Sequence, residues 1–269
     1  MTEAAIDKRQ VAESFGRAAA TYDQAADFQR QVGSDLLARL PSGRRFVDIV
    51  DLGCGTGYFT RALAERYKRP VVGLDLAEGM LRYARGRSEG AGDWVAADAE
   101  ALPIRSASQD LLFSSLALQW CPSLDTALAE GRRVLRPGGC MAFSTLLEGS
   151  LDELRQSWET VDGFVHVNRF GSLVELQGQL AAAGFGRWEC QVKPYVLRYD
   201  QLSELTRELK ALGAHNLNAG RPGGLTGRAR LRALTEAYEQ FRQPEGLPAT
   251  YQVAHVLLFN ASASLGDLP

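Results

Sequence analysis

The chain has 269 residues, of which 45% are hydrophobic, and a formal net charge of -2 at pH 7. This is the composition of an ordinary globular protein, large enough for one domain with insertions, and the near-neutral charge is not typical of a nucleic-acid-binding protein. The first residues lead into no apolar segment, so we predict no secretory signal. No apolar run is long enough to cross a bilayer, and we expect no membrane partner.

The first part of the chain alternates between helical and strand-like segments. Residues 5–40 are predicted as helix, ended by Pro41-Ser42-Gly43. Short strands are predicted at 45–52, 71–76, 93–98, 109–118 and 140–146, with helices after Gly57 and at 78–87 and 124–135. Strands and helices that alternate at this spacing predict the α/β class, with a doubly wound, mostly parallel sheet.

After Leu147 this alternation changes. Residues 151–170 are predicted as helix and then irregular chain, 174–185 as helix, 187–199 as strand, 201–242 as broken helix and 251–260 as strand. We interpret the chain as one domain with a core at about 41–150, 171–199 and 245–262. Residues 1–40 would form an N-terminal cover, and residues 151–170 and 200–242 would form helical lid insertions.

The four cysteines and three histidines are scattered along the chain. They show neither a CxxC pair nor the spacing of metal ligands, so we expect no metal site and no disulfide framework. Free cysteines are typical of a reducing compartment, and we therefore expect a cytoplasmic protein.

The sequence DLGCGTG follows the first predicted strand and opens a helix. Gly53, Gly55 and Gly57 would let the backbone turn tightly and approach a ligand. A dinucleotide fingerprint would need a further glycine at position 58, where Tyr58 stands. This departure argues against an NAD-dependent oxidoreductase.

Three acids, Asp51, Asp75 and Asp98, end three successive predicted strands. In open α/β sheets, ligands bind at the carboxyl ends of the strands, and an acid there can accept both hydroxyls of a ribose. Three carboxylates match a sulfonium cofactor with an adenosine better than a cofactor with two phosphates. Each acid alone could also be a helix cap or a solvated charge, so the prediction depends on their joint spacing.

With these features the chain resembles the class I S-adenosylmethionine-dependent methyltransferases. The resemblance rests on DLGCGTG, VVGLDLAEGML, AADAEALP and DLLFSSLALQW, within residues 45–145, and it implies S-adenosyl-L-methionine as the cofactor. It implies that the three glycines contact the methionine part of the cofactor and that Asp75 binds the ribose, with Leu76 and Met80 beside the adenine. Asp98 would bind the adenine amino group, with Ala99 adjacent. Ser114 or Ser115 would face the reacting end. Asp51 is included in this set.

Further segments resemble one subfamily, the malonyl-[acyl-carrier protein] O-methyltransferases of biotin synthesis. FGRAAATYD, LALQWC, FSTLLEGSLDELRQSW, NRF, KALGAHN and ATY agree with it in order and spacing over about residues 8–258. The resemblance implies methylation of the free carboxylate of malonyl-acyl carrier protein, or of malonyl-CoA, to a methyl ester that primes pimeloyl synthesis. The alternatives are another small carboxylic acid or a quinone precursor as the acceptor, and a cofactor-binding protein without catalysis.

A malonyl carboxylate is already ionised at neutral pH, so the reaction requires positioning and dryness more than a general base. We take Arg169 as the first candidate to bind this carboxylate and Arg17 as the second. Tyr22 would donate a hydrogen bond to the carboxylate or to the cofactor, with Phe15 as the anchor of its helix. The alternatives are a surface salt bridge for each arginine and a packing role for Tyr22.

The second lid insertion carries two more candidates. His215 and Asn216 could lie on the lid, although a structural histidine is the alternative for His215. Four arginines occur without an intervening acid, namely Arg221, Arg228, Arg230 and Arg232. Because acyl carrier proteins are strongly acidic, this basic segment could steer the carrier; a solvated helix face is the alternative.

Overall fold

The computed structural model describes residues 7–87, 92–214 and 227–261. The strands of these residues are β1 (Ile49–Leu52), β2 (Val71–Asp75), β3 (Trp94–Ala96), β4 (Gln109–Ser115), β5 (Leu135–Leu147), β6 (Arg187–Tyr199) and β7 (Leu247–Phe259). They form a seven-stranded sheet of order β3-β2-β1-β4-β5-β7-β6. The pairs from β3 to β5 are parallel, and β7 runs antiparallel to both of its neighbours.

Helices pack on both faces of this sheet. They are α1 (Lys8–Ala25), α2 (Asp27–Arg39), α3 (Tyr58–Tyr67), α4 (Glu78–Gly86), α5 (Leu124–Val134), α6 (Asp152–Glu159), α7 (Leu173–Ala182), α8 (Leu202–Ala211) and α9 (Arg228–Tyr238). Because successive strand residues point to opposite faces, Leu112 of β4 packs in one buried cluster with Leu128 of α5. Its neighbour Phe113 packs in another with Leu36 and Leu63 of α2 and α3.

The predicted fold class, a doubly wound and mostly parallel α/β sheet, is confirmed. On one side of β1 lie β2 and then β3, and on the other side lie β4 and then β5. The order of the strands therefore reverses between β1 and β4. A ligand crevice is expected at such a switch point, outside the carboxyl ends of the strands.

The segment predicted as helical, 5–40, forms two N-terminal helices in its described part, α1 and α2. The chain leaves helical geometry at Ala26, which has φ -96° and ψ 25° and is buried. The break lets α1 pack against α4 and α8, while α2 packs against the sheet. Both helices share a 3.6-residue period, so the apolar pattern alone did not reveal the change of direction.

Helices α6, α8 and α9, which lie in the two predicted insertions, pack around one buried cluster beside the sheet. Leu154, Leu205 and Leu234 contribute one side chain from each helix, and they meet Phe28 of α2 and Tyr251 of β7. His215, Asn216 and Arg221 lie outside the described residues. Among the helices that are described, none combines the length and the apolarity needed to span a bilayer.

Candidate active site

A cavity opens at the carboxyl ends of β1, β2, β3 and β4, where the strand order predicts a ligand crevice. It encloses about 770 Å³ of space, part of it open to solvent. Its wall includes the polar side chains of Lys8, Tyr22, Asp75, Asp98, Ser115 and Cys121. Much of the remaining wall is apolar, with Phe15, Leu76, Met80, Ala99, Leu116 and Trp120.

The glycine loop forms one wall of the cavity. Gly53 and Gly55 line it, with φ values of 71° and 54° in the left-handed region that favours glycine. A Cβ atom on Gly53 would lie 2.2 Å from the Cβ of Ala117, two residues after β4, so a larger residue would push the loop away from that segment. Gly57 precedes α3 and does not line the cavity; a Cβ there would meet the ring of Trp94.

Asp75 joins the second strand to the glycine loop. One of its carboxylate oxygens accepts a hydrogen bond from the N–H of Gly55 at 2.8 Å, and the other accepts one from the N–H of Ala77 at 2.7 Å. Burial raises the pKa of Asp75 above its usual value, while the backbone donors oppose that shift. The carboxylate therefore fixes the loop and also faces the cavity, where it can accept further hydrogen bonds.

Asp98 forms an ion pair with the N-terminal helix. The ammonium group of Lys8 donates to Asp98 at 2.6 Å and also contacts the carboxylate of Glu100. Burial opposes ionisation of Asp98, but its hydrogen bonds from Lys8 and from the N–H of Glu100 outweigh it and lower its pKa. The structure thus brings α1 to Asp98, the residue for which the family resemblance implies contact with the adenine.

Asp51 lies behind this wall. Its side chain is buried and accepts a hydrogen bond from the hydroxyl of Thr60 in α3 at 2.6 Å. Burial raises its pKa to about 7, with the hydrogen bond from Thr60 opposing and the nearby charge of Asp75 adding to the shift. Asp51 therefore does not line the cavity, unlike Asp75 and Asp98.

The end of β4 presents Ser115 to the cavity. Ser114 is fully buried and is absent from the cavity wall, whereas the hydroxyl of Ser115 lies 3.1 Å from that of Ser144. Leu116 follows with φ 51°, an uncommon conformation for a branched residue, and its N–H donates to the backbone oxygen of Ser144. Such local strain is frequent at ligand sites.

Tyr22 of α1 lines the cavity. It packs near Phe15, whose ring lies 5.3 Å from that of Trp120 in an edge-on contact. Burial, and then the negative charges of Asp75 and Asp23, raise the pKa of Tyr22. Its hydroxyl therefore stays protonated and forms no hydrogen bond with the described part of the chain, so it is free to donate to a ligand.

The two candidate arginines lie outside the cavity wall. Arg169 is exposed in the segment between α6 and α7. Arg17 is exposed on α1, where its guanidinium lies 3.7 Å from Glu13. Among the described wall residues the cationic side chain is that of Lys8, and it is already paired.

Lys8, Leu116 and Cys121 are wall residues that sequence reasoning missed. Lys8 meets Asp98 across 90 positions of sequence, and no local motif indicates such a pair. Cys121 follows a short 3-10 turn after β4. It comes directly after the DLLFSSLALQW motif, and this was the one sequence feature that could have placed it near the cavity.

Comparison with known proteins agrees with this geometry. A family model described as a methyltransferase domain matches residues 50–143. A malonyl-[acyl-carrier protein] O-methyltransferase of Hahella chejuensis is 45% identical over 93% of this chain and 89% of its own length. The chain belongs to the malonyl-[acyl-carrier protein] O-methyltransferase family.

Two other matches extend this comparison. The biotin biosynthesis bifunctional protein BioHC of Cellvibrio japonicus is 48% identical over 94% of this chain. The matched region spans only 50% of the length of that protein. The solved structure of YcgJ from Bacillus subtilis superposes with a TM-score of 0.60 over 86% of this chain and 99% of its own, at 19% identity. That structural likeness shows the fold alone.

As a member of this methyltransferase family, the protein uses S-adenosyl-L-methionine as its methyl donor. The cavity has the chemistry to hold it. Gly55 leaves open space where a side chain would stand, Asp75 offers carboxylate oxygens, and Leu76 and Met80 offer an apolar surface. The cofactor supplies a methyl group activated by a positive sulfur, and carboxylates at the strand ends are compatible with that charge.

Proposed function

We propose that this methyltransferase acts on the free carboxylate of malonyl carried by an acyl carrier protein and forms its methyl ester for biotin synthesis. The observation that carries the substrate assignment is the 45% identity to a malonyl-[acyl-carrier protein] O-methyltransferase over nearly the whole chain. A cavity with a largely apolar wall under a helical cover supports it, because methyl transfer to a carboxylate depends on exclusion of water.

The chemistry requires positioning above all. The acceptor carboxylate is ionised at neutral pH, so its oxygen is nucleophilic without loss of a proton to the protein. The main task of the protein is to hold that oxygen about 3 Å from the methyl carbon, in line with the breaking bond. Esterification removes the negative charge, and a cationic group that bound the acid then no longer holds the product.

We propose that Gly53, Gly55, Asp75, Leu76, Met80, Asp98 and Ala99 contact the cofactor, since all of them line the cavity. Asp51, Gly57 and Ser114 would act from behind the wall, and Ser115 would stand at the reacting end. Tyr22 would donate its hydroxyl to the carboxylate or to the methionine part of the cofactor. Arg169 would bind the acceptor carboxylate once substrate is present.

The deciding experiment is transfer of a labelled methyl group from S-adenosylmethionine to malonyl-acyl carrier protein. We expect a methyl ester on the malonyl group and no transfer to acetyl-carrier protein, which lacks the carboxylate. Arg169→Ala should raise the KM for the malonyl substrate by about tenfold or more, because a charged hydrogen-bond partner is lost, with the affinity for cofactor unchanged. Transfer only to free small acids or to a quinone precursor would refute the substrate assignment.

The exposed arginines of α9 offer a surface for the carrier protein. Arg228 and Arg232 are exposed, and Arg232 pairs with Glu236 at 3.0 Å within the helix. Arg230 instead lies 3.8 Å from the nearly buried Asp162 and near the ring of Phe164. Arg228 and Arg232 are therefore the better probes of docking, because Arg230 also holds two lid segments together.

Reversal of both probes to glutamate should raise the KM for malonyl-carrier protein several-fold and leave the KM for malonyl-CoA nearly unchanged. Steering between opposite charges acts on the acidic carrier and weakens in salt. The matched control reverses Arg105, exposed in the segment before β4, and Arg187, exposed at the start of β6, which lies level with the amino ends of β4 and β5. Equal effects on the two substrates, or from the two double variants, would exclude docking on α9.

A further inference from the structure

Asp23, the residue after Tyr22, ties α1 to two segments around the cofactor site. Its carboxylate accepts a hydrogen bond from the hydroxyl of Thr56 at 2.6 Å and one from the guanidinium of Arg87 at 3.1 Å. The Asp23 side chain is only 19% exposed, while that of Arg87 is 55% exposed. The contact with Thr56, which is itself buried, is therefore the better shielded of the two.

Asp23 and Asp75 hold the glycine loop from different sides. Asp75 accepts the N–H of Gly55 at 2.8 Å, and Asp23 accepts the hydroxyl of the next residue, Thr56. The backbone oxygen of Thr56 in turn accepts a hydrogen bond from Arg61 of α3 at 3.0 Å. The loop is thus anchored to its own strand and helix and also to the covering helix.

A second tie joins the same two regions. Arg30 of α2 donates a hydrogen bond to the backbone oxygen of Asp23, and its guanidinium lies 5.5 Å from the ring centre of Tyr58. Tyr58 begins α3 directly after the glycine loop. The end of α1 is therefore fixed to the loop through its side chain and through its backbone.

We propose that Asp23 is a positioning residue for methyl transfer, which sets the glycine loop and the hydroxyl of Tyr22 in one geometry through its bond to Thr56. Asp23 does not line the cavity, so it acts through its neighbours and not on the substrate. The proposal rests on the proposed role of Tyr22 at the reacting end. On this proposal, closure of the cover and correct placement of the cofactor depend on the same hydrogen bond.

The test combines cofactor binding with single-turnover kinetics on the full chain. Asp23→Ala and Thr56→Val each remove one side of the bond, and each should weaken S-adenosylhomocysteine binding in calorimetry by about tenfold, as expected for a hydrogen bond to a charged acceptor. The double variant should be no weaker than either single one, because both remove the same interaction. Additive losses would overturn the proposal.

Conservative variants provide the matched controls. Thr56→Ser restores the hydroxyl and should return binding to within about threefold of the wild type. Arg87→Gln should have little effect, since an exposed ion pair contributes little. A loss in Arg87→Gln as large as that in Asp23→Ala would assign the effect to the surface pair and refute the role of Thr56.

The kinetic arm asks whether Asp23 acts through Tyr22. Asp23→Ala should lower the rate of methyl transfer from bound cofactor in the wild-type background, and it should lower it much less when Tyr22→Phe is already present. An equal loss in both backgrounds, with a matching fall in Tm, would mean a merely structural residue. The binding arm needs no acceptor, so an error in the assignment of malonyl-carrier protein would stop the kinetic arm while leaving the binding result decisive.

Discussion

At the scale of single residues, Asp75 shows how one carboxylate serves both the loop and the ligand. It is bound by the N–H groups of Gly55 and Ala77, yet it still lines the cavity. A change here should therefore act in two ways: it removes a proposed partner of the ribose, and it releases the loop that shapes the rest of the site.

Asp75→Ala should weaken S-adenosylhomocysteine binding by about a hundredfold or more. The variant loses both the proposed hydrogen bonds to the ribose and the hydrogen bonds that hold the glycine loop. Asp75→Asn retains one acceptor oxygen and should lose less. Calorimetry measures both, with thermal unfolding as the check on folding. An Asp75→Ala protein that is folded and binds normally would remove Asp75 from the ribose site.

Residue positions were predictable where a motif fixes them at a strand end. Asp75 ends β2 and Gly53 follows β1, and their place at the carboxyl ends of the strands came directly from that order. Ser114 and Ser115 show the limit. A register difference of one residue moves a side chain to the other face of a strand, and the sequence offered both serines without deciding between them.

At the scale of elements, α1 is the closure of the site, and it is held along its whole length. Lys8 anchors its start to Asp98, and Asp23 anchors its end to Thr56. In the middle, Gly16 packs against Gly79 of α4, where a Cβ on Gly79 would lie 2.7 Å from backbone atoms of Gly16. The glycine in FGRAAATYD is thus at a close crossing of two helices.

The two glycines of this crossing are not equivalent, which gives a matched pair of variants. A Cβ on Gly16 would meet Gly79 at an ordinary 3.6 Å, whereas a Cβ on Gly79 would collide with the backbone of α1. Alanine is favoured over glycine in a helix by about 1 kcal/mol. Gly16→Ala should therefore leave Tm unchanged or higher, while Gly79→Ala should lower it by several degrees and weaken cofactor binding.

Thermal unfolding and calorimetry on the two variants decide the point. Because helix propensity favours alanine at both positions, a loss of stability in Gly79→Ala without one in Gly16→Ala reports on the contact of α1 with α4. Equal behaviour of Gly16→Ala and Gly79→Ala would show that α1 is not held against α4 in solution.

Most elements could be predicted from the sequence because apolar periodicity and glycine turns mark them. Strand β6 was predicted with its full span, and β7 begins at Leu247 instead of at 251 because it pairs with β6 over its entire length. That extension, like the break at Ala26, depends on a tertiary partner and not on local pattern.

At the scale of the whole molecule, the predicted sheet and its ligand edge followed from the alternation of strands and helices. The packing of α6, α8 and α9 around one cluster beside β7 did not, because contacts between distant segments leave no local period. The division into core, cover and lid stays a prediction. One observation is consistent with this division. Helices α6, α8 and α9 pack with α2 in a buried cluster that is separate from the two clusters on the faces of the parallel strands.

The free energy of unfolding should depend on pH through one buried acid, Asp51. The folded chain raises the pKa of Asp51 to about 7, against about 3.9 in the unfolded chain. Between these values the folded state keeps a proton that the unfolded state has lost. The free energy of unfolding should therefore fall as pH rises through this window, by an amount on the order of a few kcal/mol, and become flat above it.

Asp51→Asn should remove this pH dependence, since the amide stays neutral and its oxygen still accepts from Thr60. His255 contributes with the opposite sign, because burial lowers its pKa to about 4 and stability is then lost as pH falls below about 6.5. The difference between variant and wild type cancels that contribution. Urea unfolding without cofactor, from about pH 5 to about pH 8, should show Asp51→Asn gaining stability relative to the wild type as pH rises. Parallel curves would mean that Asp51 is not protonated in the folded protein, and that the charge behind the glycine loop is present at all these pH values.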